Sequence, residues 1–417
     1  MPLIRPFAAL RPAPGRAAEI IAPPYDVLTT GEARARAAGK PFSFLHISRP
    51  EIDLPENVDP YAPEVYARAT HNFDGMRDAG ILVRDSAPYY YVYRLIMGGT
   101  MGGHTQTGLV AAASVAEYDV NRIRKHEHTQ PQKENDRVRQ IEALGAHTGP
   151  VLLAYPPSPG IDEILARSSA GIPDADATAD DGVRHMLWVV RDAAVQAELT
   201  RAFDALPALY IADGHHRSAA AARVAATRRA AALRHTGEEN YEYFLTVIFP
   251  QHQTQILAYN RTVTDLNGLD TDAFLARVRK KFTVEISGVP VKPAKPADFG
   301  LYLAGQWYRL AIRPELIPGG DPVARLDVSL LSDHLLGPVL GITDPRRDKR
   351  IDYVGGIRGL AELERRVNGG GMAAAFALYP TQMADLIAVA DAGKIMPTKS
   401  TWFEPKLADG LVSHLLD

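Results

Sequence analysis

Apolar residues recur along this chain with two periods, helical and alternating, and the two are interleaved. Over 63–79, Tyr66, Ala69, Phe73 and Met76 return at helical spacing, and Gly80 follows as a stop. The next segment, PYYYVYRLIM (88–97), is aromatic and apolar, as strands prefer. GGTMGG (98–103) reads as a turn, and the strand pattern returns over 104–119, so the region predicts a hairpin. Val138, Ile141 and Leu144 mark one face of a helix over 133–144. GPVLLAYP (149–156) and HMLWVVRD (185–192) are short apolar runs typical of buried strands. Between them lies a Pro/Ser/Gly/Asp-rich stretch with its own short helix.

ALYIADGHHRSAAAARVAA (208–226) reads as strand, sharp turn, helix. YFLTVIFP and TQILAYNRTV (243–263) predict a second hairpin pair, and VPVKPAKPAD (289–298) reads as a linker. Beyond it come a strand pair (299–312), helices near 327–337 and at 359–367, a strand (373–379) and a helix (381–392). Irregular alternation with several hairpins predicts an α+β fold, with mixed or antiparallel sheets and packed helices, over a doubly wound parallel sheet. The linker divides the chain into 1–288, carrying the candidate site, and a C-terminal α+β part, 299–417, packed against it. A chain of 417 residues suits about two or three domains.

Composition narrows the chemistry. Cysteine is absent, which excludes disulfides, thiolate metal sites and cysteine nucleophiles. Lys plus Arg number 46 against 49 Asp plus Glu, a net charge of −3, so no basic balance points to nucleic acid. No run of about 18 apolar residues suggests a membrane span, and the N-terminus lacks a signal-peptide core. The expectation is a soluble cytoplasmic protein.

Several motifs fail on context. There is no Walker A sequence and no G-x-S-x-G elbow. GGGMAA (369–374) follows a helix and precedes a strand, the reverse of the order a dinucleotide loop needs. HEHTQ (126–130) has Gln130 where a zincin requires its second histidine.

Two constellations remain. In the first, Asp213, Gly214, His215, His216, Arg217 and Ser218 stand where a strand turns into an alanine-rich helix. Gly214 permits an unusual backbone angle, the helix start offers free N–H groups and a positive dipole end, and Arg217 adds a planar fork of donors. A phosphate suits such a place. Asp213 either holds Mg²⁺ or caps the helix.

The second constellation is Arg122, Arg124, Lys125, His126, Glu127, His128 and Thr129, with Lys133, Glu134 and Arg137 following. A carboxylate among cations stays ionised and suits a proton acceptor in phosphoryl transfer; a merely charged loop entering a charged helix fits the same residues. A weaker cluster lies in MPTKSTWFEPKL (396–407), where Lys399, Ser400, Thr401 and Lys406 flank Trp402 and Phe403. It either closes a pocket or straps a tail to the surface.

APPYDVL (22–28), KHEHT (125–129), ADGHHR (212–217), YNRTV (259–263) and MPTKSTWFEPKL (396–407) resemble the signature blocks of the bacterial DUF1015 family, whose label carries no activity. The D-G-H-H-R string further resembles the phosphate-binding motif of the ParB/sulfiredoxin superfamily, which implies a phosphate-binding core of that type with large additions. Sulfiredoxin chemistry needs a cysteine, and ParB-type proteins carry a helix-turn-helix and a basic surface, so the free-serine kinase branch fits best.

That resemblance implies a kinase moving a phosphoryl group from ATP or ADP to a serine hydroxyl, with Mg²⁺ near Asp213. Glu127 would be the base. Asp213 to Ser218 and Lys399 would hold phosphates, with Arg217 also catalytic. Arg122, Lys125, His126, Thr129 and Arg137 would bind the acceptor. The alternatives are a non-catalytic nucleotide-binding module and a phosphoester hydrolase with metal on His126, His128, His215 and His216.

Overall fold

Strands Tyr90–Ile96 and Thr105–Ser114 pair antiparallel, Tyr91 opposite Val110 and Ile96 opposite Thr105, so the first hairpin is present in the computed structural model. The structure describes residues 2–98 and 103–417; most of the expected turn at 98–103 lies outside them. The second strand ends earlier than expected. Ser114 accepts the Glu117 N–H through its hydroxyl and starts a short helix, Val115–Asp119.

The chain divides into two units, Met1–Thr254 with Pro405–Asp417, and Gln255–Glu404. The first unit is built on a nine-stranded mixed sheet. In chain order its strands are β1 (Ile4–Arg5), β2 (Tyr90–Ile96), β3 (Thr105–Ser114), β4 (Ile123–Arg124) and β5 (Val151–Tyr155). Then come β6 (Ala175–Thr178), β7 (Arg184–Val190), β8 (Leu209–Asp213) and β9 (Tyr243–Pro250). They lie in the order β4-β8-β5-β9-β3-β2-β7-β6, with β1 on β3. β8 runs parallel to β4, and β9 parallel to β5; the other pairings are antiparallel. Gly108 is required in β3, since a Cβ there would stand 2.5 Å from the Ile248 carbonyl oxygen of β9.

One core of this unit gathers Val92, Leu109, Leu153, Trp188, Ile211 and Phe244. A smaller cluster joins Ile141, Ala220, Val224 and Leu416, where helices Pro131–Leu144 and His215–Ala231 pack side by side. That pairing brings their N-terminal segments into one neighbourhood, which the hydrogen bonds below define.

The second unit holds a six-stranded sheet: β10 (Tyr259–Val263), β11 (Phe282–Ser287), β12 (Asp298–Leu303), β13 (Gln306–Ile312), β14 (Ile351–Gly355) and β15 (Ala374–Leu378). All its pairings are antiparallel, in the order β11-β13-β12-β15-β10-β14. Two expectations are corrected here. YFLTVIFP and TQILAYNRTV form no hairpin, because β9 pairs with β3 and β5 while β10 pairs with β14 and β15. Segment 289–298 links no domains. It lies inside the second unit, where Val291 is buried with Trp307 and Leu363. The fold is α+β with mixed and antiparallel sheets, as read from the sequence. None of its described helices is long and apolar enough to cross a membrane.

Candidate functional site

β8 is apolar along its length and delivers Asp213 to the end of the sheet. β4 lies parallel beside it, Leu209 opposite Ile123 and Tyr210 opposite Arg124. Parallel neighbours end at the same edge, so residues 125–130 emerge next to the turn at Gly214. Gly214 has φ +102°, and a Cβ there would stand 3.1 Å from Arg217 Nε. Glycine therefore serves two purposes: it turns the strand into the helix and leaves room for the Arg217 side chain to fold back. No side chain caps the helix that follows, so its first amides keep the positive end of the dipole free.

Both histidines of the turn act as latches for the 125–130 loop. His215 Nε2 accepts the His126 N–H at 3.4 Å, and His216 Nε2 accepts the Gln130 N–H at 2.9 Å. Neither Nε2 is thus a donor toward a phosphate. With Nε2 accepting, the proton of His215 sits on Nδ1, which lies 3.7 Å from Glu127 Oε2. Glu127 is 43% exposed at this point. Burial, then the neighbouring His126, drives the His215 pKa well below its ordinary value; burial pushes His126 down to about 4. Both are neutral at pH 7.

Arg217 is buried. One of its Nη1 hydrogens goes to the Pro150 carbonyl, and Nη2 lies 3.6 Å from Asp213 Oδ2. Lys406, from the last stretch of the chain, approaches the same carboxylate at 3.5 Å. Burial raises the Asp213 pKa, but Lys406, Arg217 and His215 outweigh it and hold the carboxyl well below the usual range. Behind Arg217 a small cavity is lined by Tyr25, Arg137, Thr148, Gly149, Arg217 and Asp409. The Arg137 guanidinium stacks over the Tyr25 ring at 3.8 Å. Burial raises the Asp409 carboxyl to about 7, against the opposing pull of Arg217.

Several residues expected at the phosphate or acceptor are engaged elsewhere. Ser218 is fully buried and donates to the Gly214 and His215 carbonyls. Arg122 donates to the Asp204 and Leu206 carbonyls, fixing the end of a neighbouring helix. Lys125 lies 3.8 Å over the Tyr118 ring and donates to that residue's carbonyl. Thr129 donates to Glu134 at 2.7 Å, at the start of the next helix. Arg137 pairs with Asp136 at 2.6 Å, yet still lines the cavity. Lys399 belongs to the second unit. Tyr25, Asp409 and the Lys406–Asp213 pair were not assigned from sequence, although Tyr25 falls in the APPYDVL block and Lys406 in the C-terminal cluster.

A carboxylate already neutralised by a lysine and an arginine is a poor seat for Mg²⁺, which prefers carboxylates and water around it. Asp213 therefore does not fit the magnesium role. The metal-capable grouping lies alongside: one ligand atom each from His126, Glu127 and His215 falls within 4.8 Å of the others. His126 Nδ1 is buried without a hydrogen-bond partner among the described residues. His128 and His216 are not part of this group.

The fold and the turn together define an α+β protein with a glycine-turned, uncapped helix start beside an acidic residue. The chain belongs to the DUF1015 family, a protein family of unknown function, whose model matches residues 4–329. No curated protein matches it. Among solved structures it is similar to a free serine kinase in complex with AMP, at 11% identity and TM-score 0.34, over 71% of this chain and 86% of that one. A conserved hypothetical protein from Pyrococcus furiosus matches at 14% identity and TM-score 0.34, over 72% and 93%. SbnI with a C-terminal truncation, from Staphylococcus aureus, matches at 10% and 0.36, over 72% and 85%.

Proposed function

We propose that the first unit is a nucleotide-dependent phosphotransferase that moves a phosphoryl group from ATP or ADP to the hydroxyl of a small, serine-like acceptor. The observation that carries this reading is the meeting of Glu127 with the uncapped start of helix His215–Ala231, 3.7 Å from His215 Nδ1. Phosphoryl transfer needs preorganised positive charge and a base at the attacking hydroxyl. The amides of His215, His216 and Arg217 supply the first, with Arg217 and Lys406 setting the local field. Glu127 supplies the second: it takes the acceptor's proton as the new oxygen–phosphorus bond forms and the bond to the nucleotide oxygen breaks. His215 holds that carboxylate in place. The reading places the reaction in the cytoplasm, where the donor nucleotide is found.

The test is to incubate the full chain with ATP or ADP and L-serine, with and without added Mg²⁺, and to assay phosphoserine by mass spectrometry. Wild type should form product, and Glu127→Gln should lose it while still binding nucleotide. Nucleotide binding with no phosphorylated product from any hydroxyl acceptor would overturn the reading in favour of a non-catalytic nucleotide-binding module.

The grouping of His126, Glu127 and His215 favours a second reading, a metal-dependent phosphoester hydrolase, since two imidazoles and a carboxylate suit a transition metal. Near-stoichiometric metal in the purified protein, lost in His126→Ala, would select it.

A further inference from the structure

YNRTV and the first nine residues of MPTKSTWFEPKL, 396–404, lie in the second unit, and their Arg261 and Lys399 have no part in the proposed reaction. Arg261, on β10, is 4% exposed. It donates through Nη1 to the Tyr259 carbonyl and through Nη2 to the Lys399 carbonyl at 2.9 Å. Its guanidinium lies 4.8 Å from the Tyr353 ring centre and 5.7 Å from that of Tyr259. Neither Arg261 nor Lys399 forms an ion pair with a carboxylate among the described residues, in contrast to Arg217, which has Asp213. A buried cation without a counter-anion is costly. Burial lowers the Arg261 pKa to about 10, and only the two tyrosines oppose it.

Lys399 makes the arrangement more unusual. Its φ is +61°, a left-handed conformation that is costly for a lysine and persists only where its surroundings impose it. The loop around it is pinned: Ser400 Oγ donates to the Pro397 carbonyl, and Thr381 donates to the Ser400 carbonyl at 2.8 Å. This holds the Lys399 carbonyl on Arg261 and sets its ammonium 5.6 Å from the Tyr259 ring centre. Two positive charges thus converge on one tyrosine.

We propose that Arg261 and Lys399 form a binding site for a phosphate group on the second unit. Two cations match a group carrying nearly two negative charges better than they match a single carboxylate. A guanidinium has five N–H donors, and two of them are matched here, which leaves donors for phosphate oxygens. Lys399 is the exposed member of the pair. The inference stands apart from the phosphotransferase reading, since it uses none of the residues of the first unit.

The experiment is calorimetry of the full chain with inorganic phosphate and, separately, with AMP, on wild type, Lys399→Gln and Arg261→Lys. Phosphate should bind wild type, about tenfold more weakly in Lys399→Gln and more weakly still in Arg261→Lys, as expected for losing charge-assisted hydrogen bonds. Binding of AMP alone, with the same loss in Lys399→Gln, would identify a nucleotide as the source of the phosphate. The proposal fails if neither ligand binds wild type, or if Lys399→Gln binds both as wild type does. Circular dichroism checks that Arg261→Lys folds; if it does not, Lys399→Gln, altered at an exposed side chain, decides alone.

Discussion

The Oε2 atom of Glu127 stands 3.7 Å from Nδ1 of His215, while the Nε2 of the same imidazole receives the His126 N–H. One ring therefore fixes both the backbone and the side chain of the loop beside it. Replacing His215 by Phe should leave the buried His126 N–H without an acceptor and release Glu127. We expect a loss of about 1–3 kcal/mol in stability, the range for an unmet buried donor. Turnover should fall while nucleotide affinity changes little. Urea unfolding and single-turnover assays measure the two effects separately.

Arg217→Ala should lower turnover by a factor of about 10² to 10³, the usual effect of losing one preorganised donor. It also removes one donor from the Pro150 carbonyl and one of the two cations beside Asp213. Arg217→Lys should not restore activity, since a point charge lacks the fork that reaches both partners. Turnover unchanged in Arg217→Ala would remove Arg217 from the cradle.

Gly214→Ala and Gly39→Ala test the turn. Both glycines have positive φ, but a Cβ at Gly39 meets nothing within 4 Å, whereas at Gly214 it presses on the Arg217 side chain. Gly39→Ala should cost about 1 kcal/mol from the backbone alone. Gly214→Ala should cost more and should also lower phosphate or nucleotide affinity. Equal melting temperatures for the two variants would contradict this.

Acid should destabilise the fold through its buried histidines. Burial pushes His126, His185 and His414 from the ordinary 6.5 down to about 4. A depressed folded-state value means that protons bind the unfolded chain first. The stability these groups contribute is complete above pH 6.5 and is lost as pH falls toward 4. The slope approaches about 1.4 kcal/mol per pH unit for each histidine. His185→Gln should flatten the curve of stability against pH in that window.

Asp409 has the opposite sign. Burial raises its carboxyl from 3.8 to about 7, so its contribution is complete below 3.8 and is lost as pH rises through 7. Asp409→Asn should raise the melting temperature at mildly alkaline pH and leave it nearly unchanged in acid. A uniform shift at every pH would show that the carboxyl does not titrate in this range.

The sequence revealed those parts of the site that are built locally. A strand, a glycine and a helix in succession specify the Gly214 turn within a few residues. Ser218 shares a buried face with Ala221 and Ala225, at spacings of three and seven, a periodicity that is present in the sequence. The approach of Glu127 was visible only through family resemblance, because it depends on β4, two residues long, pairing parallel with β8. Apolar runs likewise do not encode their partners, which is why 243–263 read as a hairpin although its strands enter different sheets. Tyr25, Lys406 and Asp409 come from the two ends of the chain, and no local pattern joins them to Asp213 or Arg217.

Pro405–Asp417 return to the first unit after the whole of Gln255–Glu404 has been made. Lys406 and Asp409 are therefore made only after the whole of the second unit. A polypeptide stalled or cut within the second unit already carries Glu127, Gly214 and Arg217, but not the ammonium that balances Asp213. Such products hold an electrostatically unfinished pocket, so synthesis of the second unit becomes a checkpoint on the assembly of the first.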